Sequence, residues 1–229
     1  MSLRALIFDV DGTLAETEEA HRRAFNETFA AEGVPWVWDR PTYKILLRTT
    51  GGKERMAAYQ RDLAPEGGPL SPERIAALHV RKTARYGDIL AEGGLSLRPG
   101  IADLVARARA AGLALAVATT TNRPNVEALC RCCWGVDAED VFDVIAAGDE
   151  VAAKKPAPDV FLLALSRLGL PPEACLAFED SANGVASARA AGLRVVATPS
   201  AYTADEDFSA AARIVPDLTA FALEGAGAS

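Results

Sequence analysis

Two aspartates one residue apart open a polar run, Asp9-Val10-Asp11-Gly12-Thr13, and a second acidic run, Glu179-Asp180-Ser181, lies far downstream. Between them stand a hydroxyl, Thr119, and a basic loop, Lys154-Lys155-Pro156. Each follows a short apolar stretch, directly or by a brief loop. If those stretches lie side by side in a sheet, carboxylates, a hydroxyl and a lysine converge at one edge. Such a carboxylate cluster repels itself unless a cation compensates it. A hard, oxygen-seeking divalent ion such as magnesium answers that need, with Lys155 offsetting further charge. Magnesium keeps waters and seeks phosphate oxygens, so a phosphorylated ligand is expected. Taken singly, each run has an ordinary structural explanation as a turn, a helix cap or a solvated loop. The order and placement of all four carry the weight.

The elements that must position these groups are legible as short apolar runs at 5–8, 113–118, 144–146, 175–178 and 194–197, with a weaker one at 213–215. Continuous apolar runs of this length suit parallel strands buried on both faces. Helical patterns separate most of them. One follows Pro99-Gly100 and stops at Gly112, another ends at Gly169, and a third ends at Gly192, as helix start and stop signals require. Strand alternating with helix predicts an α/β fold, a doubly wound, Rossmann-like parallel sheet whose ligands bind beyond the carboxyl ends of the strands. The interval 16–93 breaks the rhythm. It shows no strand and four helical stretches, near 17–32, 41–47, 53–62 and 71–92, with dense aromatic and basic residues. The expected organisation is a core of residues 1–15 and 94–229 with an all-helical insert at 16–93, joined by two linkers that could act as a hinge.

Length agrees with that division. The chain has 229 residues, and at about 150 residues per domain this makes roughly one domain and a half. Half of the residues are hydrophobic and 24% charged, which excludes a disordered chain. No apolar run approaches the ~20 residues of a membrane span. The net charge of −7 argues against a nucleic-acid partner, which requires a basic face. Cys130 and Cys133 form a C-x-x-C pair, but no second pair or nearby histidine completes a zinc set. The four cysteines read as reduced thiols of a cytoplasmic protein. Gly51-Gly52-Lys53 lacks the earlier glycine and the hydroxyl of a P-loop, and no G-x-G-x-x-G follows a strand. The last residues, 224–229, are small and expected to fray.

The set Leu6-Ile7-Phe8-Asp9-Val10-Asp11-Gly12-Thr13, then Thr119, then Lys155-Pro156, then Glu179-Asp180 resembles the signature of the haloacid dehalogenase superfamily, and the helical insert resembles its cap. Within the superfamily the chain is similar to the CbbY and β-phosphoglucomutase branch. The runs 17–25, 36–40 and 49–55 look most like the CbbY phosphatases. Those enzymes remove the C1 phosphate of xylulose 1,5-bisphosphate, a misfire product of the Calvin cycle that inhibits rubisco. The resemblance implies Asp9 as nucleophile and Asp11 as general acid and base. It implies Asp9, the Asp11 carbonyl and Asp180 as magnesium ligands, with Glu179 binding through a metal-bound water. Thr119 and Lys155 would hold phosphate oxygens. Gly12 would let the backbone approach the phosphate, and Thr120 and Thr121 would complete that edge of the substrate site.

The resemblance gives specificity to the cap. Thr17 and His21 share one helical face, and His21 would position Asp11. Lys53 and Arg55, beside Gly52, would hold a distal phosphate, and Glu18 would contact sugar hydroxyls. The mutase pattern Lys-Gly-x-x-Arg, aligned on Arg55, puts Gly51 where its lysine belongs, which favours a phosphatase over a mutase. A mutase, a phosphoglycolate-type phosphatase and a non-catalytic phosphosugar-binding module remain the alternatives. The expected partner is a small phosphorylated sugar, with no nucleic acid and no membrane, and the enzyme is expected to be a monomer.

Overall fold

The computed structural model describes residues 2–223; the tail 224–229, expected to fray, lies outside them. The chain forms two compact units, Met1–Glu16 with Leu95–Ser229, and Thr17–Gly94. The first holds a sheet of β1 (Ala5–Phe8), β2 (Ala114–Ala118), β3 (Val144–Ala146), β4 (Cys175–Glu179), β5 (Arg194–Ala197) and β6 (Arg213–Ile214). Its spatial order is β3-β2-β1-β4-β5-β6, and every pairing is parallel. This is the α/β Rossmann-like architecture expected. From β1 the chain winds outward through β2 and β3, then returns to place β4 on the other side of β1. The order therefore reverses between β1 and β4, where an open parallel sheet binds its ligand.

All four residues of β1 and all five of β4 are buried, which explains their unbroken apolar character. Phe8 and Phe178 lie opposite each other in register and stack at 4.9 Å. Each buried phenyl ring contributes about 1.5–3 kcal/mol. This pairing locks together the two strands that carry the acidic runs.

The second unit comprises α1 (Glu18–Ala31), α2 (Arg40–Leu46), α3 (Gly52–Leu63) and α4 (Pro72–Ala91), with no strand among its described residues. The Asp39 side chain caps α2 by accepting from the Thr42 amide, and Ser71 caps α4 from the Arg74 amide. α1 and α3 pack on α4. The aromatic density at Trp36, Trp38 and Tyr43 is the core of this unit: Phe25 meets Trp38 at 4.6 Å and Phe29 meets Trp36 at 5.4 Å.

Around the sheet lie α5 (Ile101–Ala110), α6 (Arg123–Trp134), α7 (Ala138–Val141), α8 (Asp159–Leu168) and α9 (Ala182–Ala190). α5 packs on β2, α8 on β2 and β3, and α9 on β4 and β5. Two differences from the sequence expectation matter. α7 spans four residues, too short to show a helical period. β4 extends to Glu179, so this carboxylate ends the strand rather than following it. The C-x-x-C pair lies within α6, where the Cys130 thiol is buried, and all four cysteines are unbridged.

Candidate active site

Asp9 follows β1 and Glu179 closes β4, and the register of these neighbouring strands brings the two carboxylates to one level. Asp180 follows at once. Ligand oxygens of Asp9, Glu179 and Asp180 all lie within 4.8 Å of one another, and this is the one such group among the described residues. Lys155 reaches them from the loop before α8. Its Nζ donates to Asp9 Oδ1 at 2.6 Å, to Glu179 Oε1 at 2.6 Å and to the Ala118 carbonyl at 2.8 Å. Its side chain is 4% exposed. Four groups from three segments far apart in sequence thus meet at the carboxyl end of β1, β2 and β4.

Three carboxylates are buried together here, and the Lys155 ammonium pairs with two of them, Asp9 and Glu179. Burial pushes the Asp9 carboxyl up to about 8, against the opposing pull of Lys155. Burial likewise raises Glu179. Burial alone would lower the Lys155 ammonium, but Asp9 and Glu179 outweigh it and hold it above its ordinary range. The ammonium gains from two carboxylates at once, whereas each carboxylate has only a share of one ammonium. The donor set fits a divalent cation: hard oxygens, close together, whose ionised forms a bound cation would stabilise where burial otherwise favours protonation.

The surrounding loops are shaped to admit these groups. Gly12 has φ +84°, and a Cβ there would overlap the Asp180 carboxylate. Gly184, in the first turn of α9, leaves room in the same way for Glu179. Thr13 Oγ1 lies 3.3 Å from Asp9 Oδ2. Asp11 is half-buried in the tight turn closed by the Gly12 amide on the Ala15 carbonyl, and its carboxylate stands outside the trio. Thr119 is buried at the end of β2 and its Oγ1 accepts from the Thr121 amide at 3.1 Å, which leaves the Thr119 hydroxyl hydrogen to donate. Thr120 and Thr121 are half-buried beside it. Ser181 caps α9 by accepting from the Gly184 amide, so the turn that carries Asp180 is fixed by a helix start.

The helical unit divides its own candidates. Tyr43 Oη donates to Glu18 Oε2 at 2.8 Å and accepts from Arg55 Nη1 at 2.9 Å, so Glu18 and Arg55 are joined through a buried tyrosine. Lys53 stands apart from this network, exposed in the first turn of α3. At Gly52 a Cβ would overlap the His79 ring. Thr17 and His21 are both buried and joined along α1 by the His21 amide on the Thr17 carbonyl. The His21 ring stacks on Tyr86 at 3.9 Å, and its Nδ1 lies 2.6 Å from Lys82 Nζ.

Sequence reasoning missed Lys82, which is 4% exposed. A signal was present: Lys82 falls on the apolar stripe of Ile75, Leu78, Tyr86 and Ile89. A lysine there is buried and needs a partner. Sequence reasoning also missed Tyr43, whose hydroxyl joins Glu18 to Arg55.

Comparison with known proteins agrees with this geometry. The family model for haloacid dehalogenase-like hydrolases matches residues 3–192. The chain is 63% identical over 224 residues to protein CbbY of Rhodobacter capsulatus, covering 98% of this chain and 97% of that protein. It is 32% identical over 201 residues to a phosphorylated carbohydrates phosphatase of Thermotoga maritima, covering 83% and 82%. Its fold matches the crystal structure of an aspartate-to-asparagine variant of CbbY from Rhodobacter sphaeroides in complex with xylulose 1,5-bisphosphate. That match has a TM-score of 0.91 and 56% identity over 95% of this chain and 96% of the other. The chain belongs to the haloacid dehalogenase-like hydrolase family, on its CbbY branch, and is a phosphatase-type enzyme of that family.

Proposed function

We propose that the protein is a magnesium-dependent phosphatase that hydrolyses xylulose 1,5-bisphosphate to xylulose 5-phosphate. The buried trio of Asp9, Glu179 and Asp180, with the Lys155 ammonium paired to Asp9 and Glu179, is the observation that carries the chemistry. The likeness to a CbbY that binds xylulose 1,5-bisphosphate supports the substrate.

Asp9, the backbone carbonyl of Asp11 and Asp180 would hold the magnesium, with Glu179 reaching it through water. When bound, the cation supplies the positive charge that keeps Asp9 ionised and shields the incoming phosphate. Asp9 then attacks phosphorus. The new Oδ–P bond forms as the bond from phosphorus to the sugar oxygen breaks, and Asp11 gives that oxygen its proton. In the second step Asp11 takes a proton from water, the water oxygen bonds to phosphorus, and the Asp9 carboxylate leaves. Lys155 and the Thr119 hydroxyl stabilise the non-bridging oxygens as charge develops on them. Gly12, Thr120 and Thr121 line the phosphate end.

The helical unit carries the groups that read the rest of the substrate. Arg55 and Lys53 serve a second phosphate, with Gly52 keeping the backbone open there, and Glu18 serves a sugar hydroxyl. Thr17 and His21 assist Asp11. Four unbridged thiols support a reducing, cytoplasmic setting, and we propose a monomer.

The deciding experiment supplies xylulose 1,5-bisphosphate with and without magnesium and measures inorganic phosphate. Magnesium-dependent release of one equivalent, leaving xylulose 5-phosphate, is expected. No release, with turnover of β-glucose 1-phosphate instead, would overturn the reading in favour of a mutase.

A further inference from the structure

Arg98 lies in the linker that returns the chain to the sheet unit, and its side chain is only 9% exposed. A guanidinium carries five N–H donors and no acceptor, so burial obliges it to find oxygens. Most of those it finds are backbone carbonyls from separate loops. Its Nη1 donates to the Gly12 carbonyl and, at 2.6 Å, to the Thr198 carbonyl. Its Nη2 donates to the Pro199 carbonyl at 2.8 Å. Its Nε lies 3.4 Å from Glu16 Oε1, and its own amide donates to the Leu14 carbonyl.

The placement of these loops gives the contacts a consequence. β1 and β5 flank β4 in the sheet. Gly12 lies in the loop after β1, and Thr198 follows β5 directly. The guanidinium therefore spans the carboxyl end of β4, from which Asp180 emerges. Both loops touch Asp180. The missing side chain of Gly12 makes room for its carboxylate. From the other side Thr203 Oγ1 donates to the Asp180 carbonyl at 2.5 Å. Thr203 is tied back to the same loop, because the Ser200 amide donates to its Oγ1 at 2.9 Å. The Thr198 amide also donates to the Glu179 carbonyl at 2.7 Å.

We infer that Arg98 is a positioning residue for the cation site. It holds the loop of Asp11 and Gly12 at a fixed separation from the 198–203 loop, so that Asp180 is clamped between them. Arg98 touches no carboxylate of the trio: its side-chain partners are Glu16 Oε1 and Thr198 Oγ1, and it reaches Asp180 only through the loops whose carbonyls it holds. The inference rests on the reading of Asp9, Glu179 and Asp180 as a divalent-cation site. Groups that orient metal ligands in this way typically change metal affinity by about 10–100-fold when removed.

The test is a titration of the purified protein with Mn2+ alone, followed by electron paramagnetic resonance, with unfolding recorded in parallel. Asp180→Asn is included to establish the site. Arg98→Met is expected to weaken Mn2+ binding about 10-fold or more while the protein stays folded. Arg98→Lys keeps the charge but cannot span three carbonyls, and it should recover only part of the affinity. Thr203→Val releases Asp180 from the same loop and carries the test if Arg98→Met does not fold. Because both residues act through that loop, the double variant should lose less than the product of the two single losses. A purely structural Arg98 would lower the melting temperature and leave the Mn2+ affinity of the folded variants unchanged, and that result overturns the inference alone. If Mn2+ binds with equal affinity to the unaltered protein and to Asp180→Asn, or to neither, the cation-site reading falls and the inference with it.

Discussion

Replacing Asp9 by Asn should destroy the activity and yet stabilise the metal-free protein. The reasoning is one of proton linkage. An exposed Asp in the unfolded chain titrates near its ordinary value of 3.8, whereas burial pushes the folded carboxyl up to about 8. A raised carboxylate means that folding takes up a proton at neutral pH, so stability is full below about pH 4 and falls as pH rises toward 8. Each unit of pH in that window costs about 1.4 kcal/mol. Between pH 4 and pH 7 the cost reaches about 4 kcal/mol as a ceiling, and about 2 kcal/mol if Glu179 and Lys155 take up half of it. Asn has the same shape, keeps an oxygen for Lys155 and takes up no proton. Asp9→Asn should therefore match the unaltered protein at pH 4 and exceed it by about 2–4 kcal/mol at pH 7, in EDTA. Saturating magnesium should shrink the difference, because it binds the ionised native site and at 100 times its Kd adds about 2.7 kcal/mol. Urea unfolding at both pH values, with EDTA and with magnesium, measures all four quantities. A metal-free Asp9→Asn that is less stable than the unaltered protein at pH 7 would refute the account. It would show that the ion pair with Lys155 outweighs burial.

Three further outcomes follow from the geometry. Gly12→Ala places a Cβ on the Asp180 carboxylate at a positive φ, and the displacement should lower kcat about 100-fold, read by phosphate release. Arg55→Ala and Lys53→Ala should each raise KM for a bisphosphate by roughly 10-fold, with little change for a monophosphate, since each loses a charge-assisted hydrogen bond to the distal group. Equal shifts for both substrates would remove the distal-phosphate role. Burial raises the Cys130 thiol to about 12 and the Cys175 thiol to about 11. Neither should react with iodoacetamide at pH 8 until the protein unfolds, as mass spectrometry would show.

The placement of the polar runs relative to the strands was readable because local rules govern it. A central parallel strand is buried on both faces, so 5–8 and 175–178 show as continuous apolar runs. Glycine and proline punctuate the helices between them. The boundary of β4 was misplaced by one residue because Glu179 is charged, and charge normally ends a buried strand. Here the Lys155 ammonium makes its burial tolerable. α7 escaped notice because four residues carry no period.

By itself the sequence determined the α/β class, the order of the chemical groups along it, and the types of atom they would offer. Those are properties of periodicity and spacing, which the backbone reads locally. Tertiary structure decided what those groups meet. It brought Lys155 onto Asp9 across 146 residues and onto Glu179 across 24, with burial raising Asp9. It joined Glu18 to Arg55 through Tyr43, and His21 to Lys82. It also gave Arg98 its place, and no sequence pattern could have done so. Its main partners are main-chain carbonyls, which every residue possesses, so only the folding of two loops onto the Arg98 segment distinguishes them.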